Sequence, residues 1–356
     1  MNTWENGITR LLRIKYPIIQ APMFGVATPE MVVAANEANC LGVLPLGDLP
    51  FDKCVEAIRA TKSLTNSDFA VNIFVNEIPE VTEDLKKKYR DAKKYIEQLA
   101  TQHGIETILP DIEEIEINSY HEQVDAIIAE NCRIVSFTFG NLDRSSINKL
   151  KDKGVLLIGT CTSVHEALVL EETGIDILCV QGIEAGGHRG SFTDKDIPQL
   201  GGFSLLSQVY DCVKVPIIYA GGIYNARTLS AARTLGAQAL QIGSLLLGSA
   251  ESALKEFEKR RLRSLNEADI LLCKSFSGRY ARGIKNAFIS AVESSGHVLP
   301  YPYQNKLTAG LRKTAKSNNN VDFVSIWVGQ SINEYSGKST TEIFKKLIAD
   351  VEQNGA

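Results

Sequence analysis

Val155-Leu-Leu-Ile-Gly-Thr160, then Ser163-Val-His-Glu166, then Gly174 and Ile177-Leu-Cys-Val-Gln181, read as a strand, a helix and a second strand. Short apolar runs of this kind suit strands buried on both faces. Ser163 and Glu166 have capping-box spacing, in which the serine and glutamate side chains each satisfy a free backbone donor at a helix start. Glycine at 174 stops the helix, and the next strand follows at once.

The same unit recurs in both directions. Residues 17–21, 41–46, 69–75 and 134–139 read as strands one to four. Residues 155–160 and 177–181 are the fifth and sixth, and 216–220 and 239–242 complete a set of eight. Thr28-Pro29 supplies an N-cap with proline at the first helical position, opening a helix through Ala38, and Gly236 ends the helix before the last strand. Eight such units within about 250 residues predict a closed (β/α)8 TIM barrel over residues 1–250, with an open doubly wound sheet as the alternative.

Two segments stand outside the repeat. Residues 76–130 form a charged helical excursion, with Leu85, Tyr89, Ala92, Ile96 and Leu99 at helical spacing and Ser119 to Glu122 spaced to cap a second helix. Residues 251–356 are too long for one terminal helix and predict a smaller subdomain leaning over the barrel mouth. Its final stretch, from a capping box at Ser339 and Glu342, puts Ile343, Phe344, Leu347, Ile348 and Val351 on one face for docking on the body.

With 356 residues, 44% of them hydrophobic, the chain can bury one large core, or one core with an appended subdomain. A net charge of −4 gives no reason to expect nucleic acid, and Lys86-Lys87-Lys88 sits close to acids as a solvated helix face. The first residues, Met-Asn-Thr-Trp-Glu-Asn-Gly, lack a basic region followed by an apolar stretch, so no secretory leader is expected. Apolar runs at 155–158 and 245–247 fall far short of the roughly 20 residues that span a bilayer. Seven cysteines, never spaced as CxxC, suit buried thiols in a reducing cytoplasm and predict neither disulfides nor a metal site.

In this barrel the chemistry belongs at the C-terminal strand ends, and the last two loops commonly hold a phosphate. Ala220-Gly221-Gly222-Ile223 and Gln241-Ile242-Gly243-Ser244 lie there, where glycine permits close backbone approach and a following helix N-terminus can supply donors. Tight turns alone are the bland alternative. The sixth strand ends in the densest motif, Gln181-Gly-Ile-Glu184-Ala-Gly186-Gly187-His188-Arg-Gly190, which sets His188 in a loop where a general base can face a substrate. His103, His121 and His165 read as surface residues, and His297 has no assignment. Asn72, within an apolar strand, needs a partner, either a ring edge that both donates and accepts or a neighbouring loop.

Together these residues resemble the nitronate monooxygenase family, formerly called 2-nitropropane dioxygenases. The likeness runs through Pro17-Ile-Ile-Gln-Ala-Pro-Met23, Val71-Asn-Ile-Phe-Val75, Gln181 to Gly190, Ala220-Gly-Gly222 and Gln241-Ile-Gly-Ser244. It continues through Phe276-Ser-Gly-Arg-Tyr-Ala-Arg-Gly283, Tyr301-Pro-Tyr-Gln-Asn305 and Trp327-Val-Gly-Gln330. The resemblance implies non-covalent FMN with its phosphate at the seventh and eighth strands. It makes Asn72, Gln181 and the Met23 backbone contacts of the ring. Gly186, Gly222, Gln241, Gly243 and Ser244 become contacts of the ribityl chain and phosphate. His188 matches the active-site histidine, which takes a proton from a nitroalkane or orients a nitronate. The implied reaction passes electrons from the nitronate to FMN and on to O2, giving a carbonyl compound and nitrite. The partners expected are these small molecules, and a homodimer is compatible with the family.

The chain departs from the family at Pro22, where glycine is common, and at Tyr219, where a small residue is common. Both are expected to reshape the flavin-side pocket, whereas Asn39 and Cys40, at the far end of the second strand, alter packing only. A flavin-dependent enoyl-acyl-carrier-protein reductase, which shares the barrel and a Gly-Gly-His loop and uses NAD(P)H, is the rival reading. Arg189-Gly190 and the tail from Trp327 to Gln330 favour the monooxygenase. A flavin-binding barrel without turnover is the third.

Overall fold

The computed structural model describes residues 4–353. Residues 1–3, part of the stretch searched for a leader, and 354–356 lie outside the described residues. The strands are β1 (Ile18–Gln20), β2 (Val43–Gly47), β3 (Ala70–Phe74), β4 (Ile134–Thr138), β5 (Leu156–Cys161), β6 (Ile177–Gln181), β7 (Gly187–His188), β8 (Ile217–Ala220), β9 (Ala239–Ile242), β10 (Ile270–Cys273) and β11 (Ala281–Ile284). Eight of them pair in parallel in the order β1-β9-β8-β6-β5-β4-β3-β2. The two edges meet where Ile19 bridges Leu41, with Gln20 N–H donating to the Leu41 carbonyl at 2.9 Å and Leu41 N–H to the Ile18 carbonyl at 3.0 Å. The sheet therefore closes into the expected barrel.

Side-chain alternation sorts each strand between two layers. Ile19, Val43, Ala70, Ile134, Ile158, Ile177, Ile218 and Ala239 form an inner cluster, joined at the bottom by Ile8 and Leu12 of the helix Gly7–Leu12. Val71, Val135, Leu157, Leu178, Ile217, Tyr219, Leu240 and Ile242 lie in the outer cluster, which they share with helical residues such as Met31, Ile58, Leu170, Leu205 and Leu229.

Local punctuation behaves mostly as read. The Thr28 side chain caps Pro29–Glu37, and Ser339 and Glu342 form a reciprocal box, with Glu342 N–H donating to Ser339 Oγ at 3.1 Å and Ser339 N–H to Glu342 Oε2 at 2.9 Å. The box at Ser163 is only half formed. Glu166 N–H donates to Ser163 Oγ at 3.1 Å, but the Glu166 carboxylate turns inward, accepting from Thr162 N–H at 2.6 Å and Phe192 N–H at 2.8 Å. A buried carboxylate gains more by holding two loops than by returning to a solvated cap. Ser119 likewise pairs with His121, not Glu122. Six cysteines are buried, but Cys212, at the end of its helix, is exposed.

After β9 the chain leaves the barrel and returns as Thr340–Gln353, which packs on Pro29–Glu37 and Ala226–Thr234 and so completes the helical ring. The intervening residues build a second apolar cluster with Phe276, Phe288, Leu307, Leu311, Phe323 and Tyr335. Leu85, Tyr89, Ile96 and Leu109 of the excursion join that cluster and not the barrel core. Tyr303 OH donates to the Pro79 carbonyl at 2.7 Å, and Tyr95 OH to the Ala291 carbonyl at 3.0 Å, across the same contact. Among the described residues no helix is long and apolar enough to cross a membrane. Phe344 is fully buried beneath the returning helix. Phe344→Ala is expected to lower the unfolding free energy by about 3–5 kcal/mol in urea titrations; a loss under about 1 kcal/mol would show that this helix is not a structural wall.

Candidate active site

A cavity of about 640 Å³ opens at the C-terminal ends of the strands, within the size range of small-molecule and cofactor sites. Inward strand residues supply its floor: Asn72, Thr138, Thr160, Cys179, Gln181, Ala220 and Gln241. Met23, Gly186, His188, Gly221, Gly222, Gly243 and Ser244 also line it, so the structure gathers nearly all the residues singled out from the sequence. Ile242 is the exception. Its side chain packs in the outer layer, and its carbonyl accepts from Ala21 N–H at 2.9 Å. The alternation that turns Gln241 inward turns Ile242 outward.

Tyr219 also differs from expectation. It is fully buried on the outer side of the barrel and does not line the cavity, while Pro22 does. Asn72 Nδ2 donates to Ser136 Oγ at 2.8 Å, its register partner on β4, so the amide meets a neighbouring strand while still facing the cavity. Gln181 is more heavily engaged. Its Oε1 accepts from Arg189 Nη1 at 3.0 Å and Gly190 N–H at 2.9 Å, and its Nε2 donates to the His188 carbonyl at 3.0 Å. One amide proton of Gln181 remains for a ligand.

The two glycine loops differ in what they can offer an anion. After Gly221 and Gly222, at φ of 133° and 69°, the helix Ala226–Thr234 is already capped: Thr228 N–H donates to Asn225 Oδ1 at 3.0 Å, and Thr228 Oγ1 accepts from Asn225 N–H at 3.3 Å. The expected contribution of a free helix N-terminus is therefore reduced, and the donors left are amides of the loops themselves. After β9 the chain enters a single 3₁₀ turn, Ser244–Leu246, and Gly329 N–H donates to Ser244 Oγ at 2.8 Å. The Ser244 hydroxyl keeps its own proton to donate. A Cβ on Gly186 would lie 2.4 Å from Gly329 N, so only glycine fits between the two segments.

His188 lies not in a free loop but in β7, which pairs antiparallel with β11, and Arg189 N–H donates to the Tyr280 carbonyl at 2.8 Å. Its Nε2 is 2.8 Å from Ser277 Oγ. Since that hydroxyl donates to the Arg279 carbonyl at 3.1 Å, the pattern assigns the ring proton to Nε2 and leaves the Nδ1 lone pair basic. The ring is half-buried and faces the cavity beside Phe139, at 5.6 Å, and Trp327, at 5.4 Å. Burial first, then the charges of Arg279 and Arg312, lower its pKa from 6.5 to about 3. Phe139 itself is held at φ 80°, a strained conformation for an aromatic residue, with the Arg279 guanidinium 4.3 Å from its ring centroid.

Sequence reasoning missed most of what the C-terminal residues bring: Ser277, Tyr301, Arg312, Trp327 and Ser331. Tyr301 OH is buried without a hydrogen-bond partner, and Lys306 pairs with Asp48 at 2.7 Å across the rim. The Phe276–Gly283, Tyr301–Asn305 and Trp327–Gln330 motifs carry the family likeness, but no local pattern links them to the distant strand ends that they meet. The remaining histidines are peripheral: His103, His121 and His165 are exposed, and His297 stacks on Tyr95 at 4.8 Å.

The family model for nitronate monooxygenase matches residues 5–350. A probable nitronate monooxygenase of Staphylococcus saprophyticus is 37% identical over 91% of both chains, and one of Staphylococcus aureus is 35% identical over 98% of both. Among solved structures, nitroalkane oxidase from Streptomyces ansochromogenes superposes with a TM-score of 0.87 at 29% identity, covering 98% of each chain. FabK from Thermotoga maritima, at 24% identity and a TM-score of 0.76 over 99% of this chain and 97% of its own, shares the fold.

A histidine whose folded pKa lies below its unfolded value takes up its proton on unfolding, so stability is full above about pH 6.5 and falls as the pH drops toward 3. His188→Gln is therefore expected to lose less Tm than the unsubstituted protein between about pH 7 and about pH 4.5. Equal losses in thermal scans at the two pH values would contradict a neutral His188.

Proposed function

The chain belongs to the nitronate monooxygenase family, and from that premise we propose that it binds FMN in the barrel mouth and oxidises alkyl nitronates with O2 to a carbonyl compound and nitrite. The observation that carries this reading is the convergence of His188 with both glycine loops around one cavity. Gly221, Gly222, Gly243 and Ser244 would hold the phosphate end. Met23, Asn72, Gln181, Gly186 and Gln241 would flank the ribityl chain and ring. The residues fit such a group: the loops present main chain free of side chains, and the inward amides can donate and accept at a ring edge. Bound there, FMN supplies the electron-accepting chemistry, and the protein supplies orientation and electrostatics.

His188 decides which form of the substrate is used. With a pKa near 3, Nδ1 is unprotonated at neutral pH but is a weak base, poorly matched to removing a proton from carbon. A substrate that arrives as the anion needs no such step. Arg279 and Arg312, both close enough to act on His188, give the cavity a positive potential suited to that anion. His188 then orients the nitronate, and Phe139, Trp327 and Tyr301 exclude water around it.

Purified protein should carry, or take up, FMN with a visible flavin spectrum, and turnover on a preformed alkyl nitronate should exceed that on the neutral nitroalkane by at least about tenfold at neutral pH. Comparable rates on both forms would mean that His188 acts as an effective base and would overturn its assignment here. Anaerobic mixing tests the rival chemistry: a nitronate should change the flavin spectrum and NADH should not. Reduction by NADH alone would favour the enoyl reductase reading, and a protein that takes up FMN but responds to neither would favour a barrel without turnover.

A further inference from the structure

Tyr219, where the family commonly has a small residue, makes one polar contact with a direct bearing on the phosphate end of the cavity. Its hydroxyl donates to Glu184 Oε1, while Gly202 N–H, at the start of the helix Gly202–Cys212, donates to Glu184 Oε2 at 3.0 Å. The carboxylate thus bridges β8 and the start of the helix Gly202–Cys212, which precedes β8 in the chain. Above it lie Gly221 and Gly222. A Cβ on Gly221 would sit 3.4 Å from Tyr219 OH and 3.5 Å from Glu184 Cδ, and one on Gly222 would sit 3.4 Å from Glu184 Cγ. The Glu184 carbonyl accepts from Gln330 N–H at 3.0 Å, tying the same residue to the C-terminal segment, whose Ser331 Oγ donates to the Gly222 carbonyl at 3.0 Å.

This arrangement sets a problem that Tyr219 answers. A carboxylate directly beneath a loop that receives a phosphate opposes the ligand's charge. Donors aimed at both oxygens spread that charge and fix the carboxylate in one position against the loop. Burial and the neighbouring Glu184 charge both push the Tyr219 hydroxyl's pKa upward, so it stays a donor. Arg189 and Arg282 also act on Glu184 through their charge, but neither donates a hydrogen bond to its carboxylate: Arg189 Nη1 donates to the Gly182 carbonyl at 2.7 Å and Arg282 Nη2 to the Ile183 carbonyl at 2.9 Å.

We propose that Tyr219 is a positioning residue for a phosphate monoester: by holding the Glu184 carboxylate beneath Gly221 and Gly222, it sets the loop and keeps that charge from opposing the ligand. The proposal rests on the reading of the cavity as an FMN site. It touches neither ring nor substrate, so its effect belongs to the phosphate alone.

Equilibrium binding of FMN and of riboflavin, which lacks the phosphate, to the full-length apoprotein tests this through flavin fluorescence. The unsubstituted protein should prefer FMN. Tyr219→Phe keeps the buried ring and should weaken FMN about tenfold while leaving riboflavin unchanged, a loss no larger than one hydrogen bond to a charged group. Adding Glu184→Gln should restore most of the lost preference by removing the opposing charge. An unchanged FMN-to-riboflavin ratio in Tyr219→Phe would overturn the proposal, as would a parallel loss of both ligands or a loss that persists in the double variant. A different result marks failure of the cofactor reading itself: unsubstituted protein that binds riboflavin as tightly as FMN, or binds neither, removes the phosphate site and this proposal with it.

Discussion

The guanidinium of Arg189 is almost wholly buried, and the two protons of its Nη1 are shared among three acceptors, the Gln181 carbonyl at 3.0 Å, Gln181 Oε1 at 3.0 Å and the Gly182 carbonyl at 2.7 Å, while among the described residues Nε and Nη2 have no hydrogen-bond partner. Burying an unpaired cation costs several kcal/mol, so such a group is tolerated only where neighbouring dipoles and charges compensate it. Here the acceptors are Gln181, the last residue of β6, and Gly182 just beyond it, and Glu166 and Glu184 supply the opposing charge. Burial lowers the pKa only to about 10, so the cation persists at neutral pH. One residue away, His188 inherits this rigidity. Its carbonyl is held by Gln181 and its backbone by β11, so the ring's direction is fixed before any ligand arrives. The rest of the cavity is arranged around that fixed ring.

The electrostatic consequence is a neutral imidazole in positive surroundings. Arg279 reaches Ser191 with one guanidinium nitrogen and lies over Phe139, while Arg312 donates to the Asn305 carbonyl at 2.8 Å and Oδ1 at 2.7 Å. Among the described residues neither forms an ion pair; Asp194 and Glu166 act on Arg279 from a distance, and Asp48, the acid acting on Arg312, is itself paired with Lys306. A neutral donor–acceptor ring between two cations is arranged to hold an anion more readily than to generate one.

The barrel was legible because its signal is local. Each strand is a short apolar run, several of the helices have a cap or a terminal glycine, and all eight strands fall within a few residues of their expected bounds. Asn72 was legible because a polar residue in an apolar strand needs a partner, whereas Gln181 and Gln241 were legible through the strand-end motifs they open and the family likeness those motifs carry. Side-chain direction was less so. Ile242 was grouped with its loop although strand alternation turns it outward, and Tyr219 was placed at the pocket although it points to the helical layer. Glu166 carried a capping signature, yet a buried alternative outweighs a solvated one. What could not be read was the pairing of β7 with β11, or the approach of Ser277, Tyr301, Arg312 and Trp327. These contacts join segments far apart in sequence, and although the segments carry the family likeness, none alone shows which strand end it meets.

The order of elements explains how those distant segments reach the site without loosening it. The residues that build most of the second apolar cluster lie between β9 and the helix that completes the ring, so both ends of this stretch are anchored to the barrel. Loop-closure entropy grows only slowly with length, so a long insertion between fixed ends adds little to the cost of folding. In return, its segment from Trp327 to Ser331 is drawn across the two glycine loops, where Gly329 meets Ser244 and Ser331 meets Gly222. A terminal extension with one free end would lack the second anchor that holds this crossing in place. The tight contact of Gly186 with Gly329, too close for any side chain, is therefore a consequence of topology as much as of sequence.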